Sequence, residues 1–538
     1  MASRSNSQAM DHVVLVIFEN RSLDNLLGRL YGPQDGKEFD GVVGKDLSNP
    51  VPSWAQHQPP DGSARVDYAV ATDMDSPNPD SGEEWFHTNT QLFNTMDEHN
   101  KFQFEQAAPW NVPPDGTQPN MQGFVADYIS YFTAQVGRQP TFDEYRHIMT
   151  GFTPEQAPVL NGLARDFGVF DHWFCEVPSQ TFMNRSFWTA GTSSGGTINT
   201  PFTNWTKDNT AETLFDRLDK TGRTWKIYVR EPDPVSLTTV IHWPRIGDKA
   251  ATNVAPFAQF KEDAANGTLP DFALIEPNLL VGHGDYHPAC SRALIQGVDL
   301  TGEQPSSILA GEAFLDEIYG AYKSMNSPTG ANVWNTTLFI GWDEPGGTYD
   351  HVAPGPVPPP DTAAPAGQLG FTFDRSGYRV PAIVVSPWVE PGSVYNEEYR
   401  HTSMLATLRK LWDLGEPFTD RDKAARTFDH VFSRDEARDP ADWATPAANP
   451  VPQYQLDFEL LQRQLSPLGQ ALLPAVIDLA KKKGIELPAK VTDPGFALSP
   501  QAAWDLCVLA MSHYFPTLGP GPDQVKKLAQ ELRSDLES

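Results

Sequence analysis

The chain has 538 residues, 39% of them hydrophobic, and a formal net charge of -29. It is long enough for a large core and for more than one domain. So acidic a surface repels phosphate backbones and excludes nucleic-acid binding through a basic face, while a bound metal can still invert the field locally for a phosphate substrate.

Residues 1–10 are polar, and no apolar stretch of signal-peptide or membrane-span length follows. The expectation is a soluble protein without a classical signal peptide, cytoplasmic or secreted by a non-classical route. Residues 13–18 form a continuous apolar run, the pattern of a strand buried on both faces. Residues 35–119, rich in Pro, Gly, Asp and Asn, read as long loops that shape an active site. From residue 123 to 164 the pattern turns helical, with Phe124, Tyr128, Ile129 and Phe132 on one face. Strands are predicted at 224–229, 271–276, 337–342 and 380–386, and helices at 211–221, 307–325 and 403–412. This alternation predicts an α/β architecture with a largely parallel sheet, in one domain over residues 11–432. Residues 354–360 read as an extended proline-rich surface loop. Beyond residue 452 a helical C-terminal region is expected, with helices at 454–483, 499–514 and 524–536. Cys175, Cys290 and Cys507 have no zinc-type spacing and an odd count, so they read as inert thiols in or near the core.

Two of the apolar strands end in acidic pairs. Residues 13–18 run into Glu19-Asn20, and residues 337–342 run into Asp343-Glu344, then Gly346-Gly347. Ligands of open α/β sheets bind beyond the carboxyl ends of the strands. Three carboxylates and an amide oxygen gathered there repel unless a cation lies among them. Hard oxygen ligands suit one divalent metal of open identity, so the residues point to a metal-dependent hydrolase. In residues 178–185, Arg185 is a candidate grip for phosphate oxygens. Thr181 is a candidate nucleophile if a metal lowers its hydroxyl pKa. The alternative is a turn closed by the Ser179, Thr181 and Asn184 side chains. His87, His287 and His351 fall in loops, and His401 precedes Thr402-Ser403, which look like a helix N-cap. Phosphoester cleavage needs a general acid, and neutral imidazole also binds metals. A lone loop histidine is otherwise a solvated or hydrogen-bonded spacer.

Residues 19–24, Glu19-Asn20-Arg21-Ser22-Leu23-Asp24, resemble the Glu-Asn-Arg-Ser-Phe-Asp signature of the bacterial phosphoesterase family. That family includes phospholipases C and acid phosphatase A type enzymes. Residues 343–352 resemble its second signature, Asp-Glu-His-Gly-Gly-Phe-Tyr-Asp-His-Val. Thr181, Asn184 and Arg185 are similar to its Thr-x-Pro-Asn-Arg element, residues 272–277 and His287-Pro288 to its middle elements, and residues 120–125 to its Gly-Lys-Met-Asp-Gly-Phe-Val stretch. The resemblance runs in the family's order over residues 11–412. It implies an alkaline-phosphatase-like core with one divalent metal on Glu19, Asn20, Asp343, Glu344 and the Thr181 hydroxyl. Thr181 would be the nucleophile, and His287 and His87 the active-site histidines. Leu23, Met183 and Pro345 depart from the pattern, and Pro345 replaces a histidine beside two of the implied ligands.

The implied substrate is a phosphoester small molecule or a phospholipid headgroup. A choline headgroup would call for an aromatic cage, for which the chain has 14 Trp and 15 Tyr. The alternatives are a hydrolase of a related sulfate or phosphonate ester, and a non-catalytic binding protein on the same fold.

Overall fold

The computed structural model describes residues 5–104, 106–280, 283–295, 298–304, 306–361, 367–452, 467–482, 484, 500–519, 521, 523–524 and 526–530. The first apolar run is strand β1 (His12–Phe18), buried from Val13 onward. The other strands of its eight-stranded sheet are β2 (Gly168–Phe170), β3 (Trp225–Val229), β4 (Val254–Pro256), β5 (Phe272–Glu276), β6 (Thr336–Trp342), β7 (Ala382–Val385) and β8 (Ser393–Tyr395). Their order is β8-β2-β7-β6-β1-β5-β3-β4. From β6 through β1, β5 and β3 to β4 every pairing is parallel. β7 is antiparallel to β6 and β2, and β8 is parallel to β2. The sheet is thus largely parallel, as the apolar runs predict. β6 is buried at every position, as a strand covered on both faces must be. The register pairs Ile17 with Gly341 and Phe18 with Trp342, so the two acidic pairs leave the sheet side by side.

Helices fall close to the predicted spans at Phe124–Val136, Leu214–Thr221, Ile308–Lys323 and His401–Trp412. Thr213 and Ser307 cap the second and third, each accepting a backbone N–H. Three expectations need correction. The loop reading of 35–119 misses the helix Trp85–Phe93, whose nine residues are all buried. Its His, Thr, Asn and Gln side chains hydrogen-bond inward, so no apolar stripe marks it. His401 is not before an N-cap but opens its helix, and the cap comes from elsewhere in the fold. There Glu176 accepts from the Thr402 backbone N–H at 2.8 Å and from its hydroxyl at 2.6 Å. Finally, Pro354, Val357 and Pro360 are buried, so the proline-rich run is not simply a surface loop.

The described C-terminal helices, Pro467–Lys482 and Pro500–Met511, join the main core through Val476, Leu479, Trp504 and Cys507. The Thr517 hydroxyl donates to the β4 carbonyl of Val254 at 2.7 Å. Most of the helix expected at 524–536 lies outside the described residues, as does the side chain of Cys290. Cys175 and Cys507 are buried free thiols.

A buried ionic network ties the two acidic motifs to the sheet. The Arg379 guanidinium pairs with Asp24 and Asp350, each at 2.9 Å. Its Nη1 also donates to the carbonyls of Asp40 and Asp171 at 2.8 Å. His351 bridges Asp24 at 2.6 Å and Asp40 at 3.1 Å, and Lys45 shares Asp40. Burial opposes the imidazolium of His351, but the bonds to Asp24 and Asp40 outweigh it and push its pKa up to about 9. A raised histidine pKa contributes stability that is complete below the unfolded value and is lost as pH rises through the folded one. His351→Gln should therefore lower the urea-unfolding free energy by at most about 3 kcal/mol at pH 6. The wild-type and variant curves should converge above about pH 9. A difference that does not change with pH would remove the charge-pair role.

Candidate active site

The side-by-side strand ends bury carboxylates against one guanidinium. Arg185 Nε lies 3.0 Å from Asp343 Oδ2 and its Nη2 lies 3.3 Å from Glu19 Oε1, with all three side chains buried. Nη2 also donates to the Ile17 carbonyl at 3.2 Å. Asp343 Oδ1 accepts from the backbone N–H of Glu344 at 2.7 Å and of Asn20 at 3.4 Å. The geometry thus has Arg185 holding two carboxylates, with Nη1 the one guanidinium nitrogen that makes no hydrogen bond.

The turn after Glu344 explains the Gly-Gly pair. Gly346 and Gly347 have φ of 62° and 63°, and Gly346 N–H donates to Glu344 Oε2 at 2.6 Å. A Cβ on Gly346 would stand 2.4 Å from the Asn20 carbonyl, and one on Gly347 2.5 Å from the Gly82 carbonyl. Pro345 serves this turn through its carbonyl, which accepts from the Thr348 backbone and hydroxyl at 3.1 and 2.7 Å.

Thr181 is the first residue of the helix Thr181–Ala190, and Arg185 follows one turn later on the same face. The approach to Thr181 is gripped by Asn184. Its Oδ1 accepts from the backbone of Glu176 at 3.0 Å and Val177 at 2.9 Å. Its Nδ2 donates to the carbonyls of Val177, Ser179 and Gln180 at 3.0, 2.9 and 3.1 Å. Met183 is buried in the first helical turn, where the backbone N–H has no obligatory intrahelical partner. Losing this N–H to a proline would therefore break no intrahelical bond.

His287 follows Asp285, whose Oδ1 accepts its backbone N–H at 3.0 Å. His287 Nδ1 donates to the Pro288 carbonyl at 2.7 Å, which leaves Nε2 3.4 Å from Glu83 Oε1. Asn20 Nδ2 donates to the same Glu83 oxygen. Glu83 thus joins Asn20 to His287, and ligand atoms of Asp80, Glu83 and His287 lie within 4.8 Å of one another. Sequence reading missed Asp80 and Glu83, because they sit in the Pro- and Asp-rich loop with no motif around them. Length was the only signal that the loop mattered.

His87 is buried on the helix Trp85–Phe93, paired with Asp127 at 2.8 Å. His401 is a buttress. Its Nε2 donates to the Asp343 carbonyl at 2.6 Å, its Nδ1 accepts from Trp173 Nε1 at 3.1 Å, and its ring stacks on Trp188. Burial holds it neutral, with its pKa pushed down to about 4. His351 belongs to the structural network described above.

The site is short of positive charge. Burial, then Asp343, pushes the Glu19 pKa well up, and burial, then Glu83 and Asp343, does the same for Glu344. Burial pushes Asp343 up to about 6 even beside Arg185. Asn20 Oδ1 and Glu344 Oε1 are buried oxygens that accept no hydrogen bond, and Glu19 Oε1 has only its ion pair with Arg185. Such atoms are costly unless something electropositive meets them.

The model of the phosphoesterase family matches residues 10–415. The chain belongs to the phosphoesterase family. This phosphoesterase is 30% identical to non-specific phospholipase C1 of Arabidopsis thaliana over 502 residues, covering 87% of this chain and 81% of that protein. It is 31% identical to non-specific phospholipase C6 of the same plant, over 78% and 72%. To the non-hemolytic phospholipase C of Burkholderia pseudomallei it is 30% identical, over 47% and 39%. Among solved structures, a phosphonate monoester hydrolase of Agrobacterium radiobacter covers 48% of this chain and 69% of its own, at 15% identity and a TM-score of 0.27. The phosphoesterase is an enzyme that hydrolyses phosphoric esters. Among its described residues no helix is long and apolar enough to cross a membrane.

The Asn184 clamp is testable. Asn184→Ala leaves two buried N–H groups and three carbonyls without their partner, which should cost about 2–4 kcal/mol. Chemical denaturation should show this loss, and limited proteolysis should show new cleavage at 176–180. A variant as stable as wild type would remove the clamp.

Proposed function

We propose that this phosphoesterase is metal-dependent and cleaves its ester through a covalent phosphothreonine at Thr181. The observation that carries the reading is the pair of orphaned buried oxygens on Asn20 and Glu344, beside a Glu19 Oε1 whose one cationic neighbour is Arg185 at 3.3 Å. One divalent ion would be held by Glu19, Asn20, Asp343 and Glu344, with the Thr181 hydroxyl completing the set. A bound divalent ion supplies positive charge that lowers the pKa of a neighbouring hydroxyl and offsets charge on phosphoryl oxygens.

The chain's own groups supply the rest. Thr181, its hydroxyl proton released to solvent, attacks phosphorus through Oγ, the bond from phosphorus to the ester oxygen breaks, and protonated His287 gives its Nε2 proton to the departing alcohol. Neutral His287 then takes a proton from the water that attacks phosphothreonine, which frees Thr181 and the phosphate product. His87 serves as the second active-site histidine. Arg185 keeps Glu19 and Asp343 in place as a positioning residue. Similarity to relatives named phospholipase C favours a phospholipid diester substrate over a phosphomonoester. The catalytic domain spans residues 11–432, with the C-terminal helical region packed against it.

The enzyme should turn over p-nitrophenylphosphorylcholine faster than p-nitrophenyl phosphate, and a chelator should abolish both. Purified wild type should carry stoichiometric metal and Asp343→Asn almost none, and equal metal in the two would sink the site. Thr181→Ala should lose turnover by several orders of magnitude, while Thr181→Ser should retain some. Full specific activity in folded Thr181→Ala would leave Thr181 as a turn residue only. His287→Ala should slow alkyl esters more than p-nitrophenyl esters, whose leaving group needs little protonation.

A further inference from the structure

We propose that Asp127 is the positioning residue of His87, fixing its Nδ1 proton so that its Nε2 edge is the one presented to the phosphoester. The inference rests on the reading that His87 serves the active site, and it adds how that histidine is made competent.

His87 Nδ1 lies 2.8 Å from Asp127 Oδ1, and both side chains are buried. A carboxylate only accepts, so Nδ1 must carry the proton and Nε2 is the reactive edge. Asp127 is itself held. Its Oδ2 accepts from Gln91 Nε2 at 2.9 Å, and the same nitrogen donates to the Gly82 carbonyl at 2.7 Å. The imidazole is walled by Tyr131 and Phe86, with ring centroids 4.8 and 5.0 Å away. On another side it is walled by Gly82, where a Cβ would stand 2.4 Å from His87 Cγ. Asp127 and Tyr131 are one turn apart on the helix Phe124–Val136, so one helix face shapes two sides of the ring.

His87 Nε2 is buried and makes no hydrogen bond. An unmet buried ring nitrogen costs about 1–3 kcal/mol, which a purely structural histidine would avoid. The loop at Gly82 leads to the acidic strand ends. Ser81 Oγ donates to the Gly346 carbonyl, and Glu83 bonds Asn20 and approaches His287. The charged groups facing His87 are Asp127, Glu84 with Oε2 3.9 Å from Nε2, and Glu83, while Gln106 Nε2 lies 3.5 Å from Nδ1. Burial opposes the imidazolium, but Asp127, then Glu84 and Glu83, outweigh it and raise the pKa. The bond to Asp127 thus leaves Nε2 as the edge that a phosphoryl group would meet.

The test is NMR of histidine-labelled full-length protein, with His87 assigned by comparison with His87→Gln, beside the pH profile of kcat/KM. In wild type, neutral His87 should be the Nδ1–H tautomer, and inorganic phosphate should shift its resonance. In Asp127→Asn, whose side chain can still accept the bond, the His87 titration and the alkaline limb of kcat/KM should both fall by one pH unit or more. The metal content of that variant should stay near wild type, and its melting transition should fall only by what the lost Gln91 bond to Oδ2 accounts for, with the fold retained. An Nε2–H tautomer or an unmoved resonance with phosphate in wild type, measurements that need no Asp127 variant, would overturn the proposal. So would an unshifted titration in Asp127→Asn. If wild type shows these NMR results but turns over no phosphoester, the functional reading fails while the pairing of Asp127 with His87 stands.

Discussion

Two buried carboxylates at the ends of neighbouring parallel strands, with one guanidinium between them, constrain the rest of this structure. Glu19 and Asp343 cannot stay charged without help in so dry a place, and Arg185 is the help the chain provides. Because Arg185 sits on the helix Thr181–Ala190, its ion pairs dock that helix against the strand ends. One guanidinium does not balance Glu19, Asp343 and Glu344 together: burial raises the pKa of all three, and neighbouring carboxylates raise those of Glu19 and Glu344 further.

The surroundings follow from the need to keep such a rim dry and rigid. Chain segments distant in sequence arrive as carboxylates that cap helices. Glu176 caps the helix His401–Trp412, and Glu276, at the end of β5, accepts from the backbone of Leu237 and Thr238. Buried pairs such as Glu176 with Arg421 and Arg379 with Asp24 add little net stability, because desolvation consumes most of their attraction. Their effect is on geometry, since each removes the freedom of a loop that meets the site.

The departures from the family pattern look different once placed. Pro345 lies in a turn closed by its own carbonyl, and the positive charge a histidine could bring there is absent beside Glu344. Nearby, His287 approaches Glu83, which also takes a bond from Asn20. Met183 occupies a first-turn position that is indifferent to losing its N–H.

Much of the fold was legible in sequence wherever burial is two-sided and local. The runs that became β1, β3, β5 and β6 are apolar because parallel strands are covered on both faces, and the acidic pairs stand out because they interrupt those runs. The ordered motifs named the family and its candidate residues. Sequence alone could not reveal what depends on groups far apart in the chain. The helix Trp85–Phe93 carries polar side chains whose partners lie on other elements, so no periodicity marks it. Asp80, Glu83 and Asp127 carry no motif, and their importance comes from what the loops bring beside them. That β1 and β6 deliver two carboxylates to Arg185 is likewise invisible in the sequence around it. A local pattern encodes which residues are buried, but pairing across 158 positions, as between Arg185 and Asp343, exists only once the chain has folded.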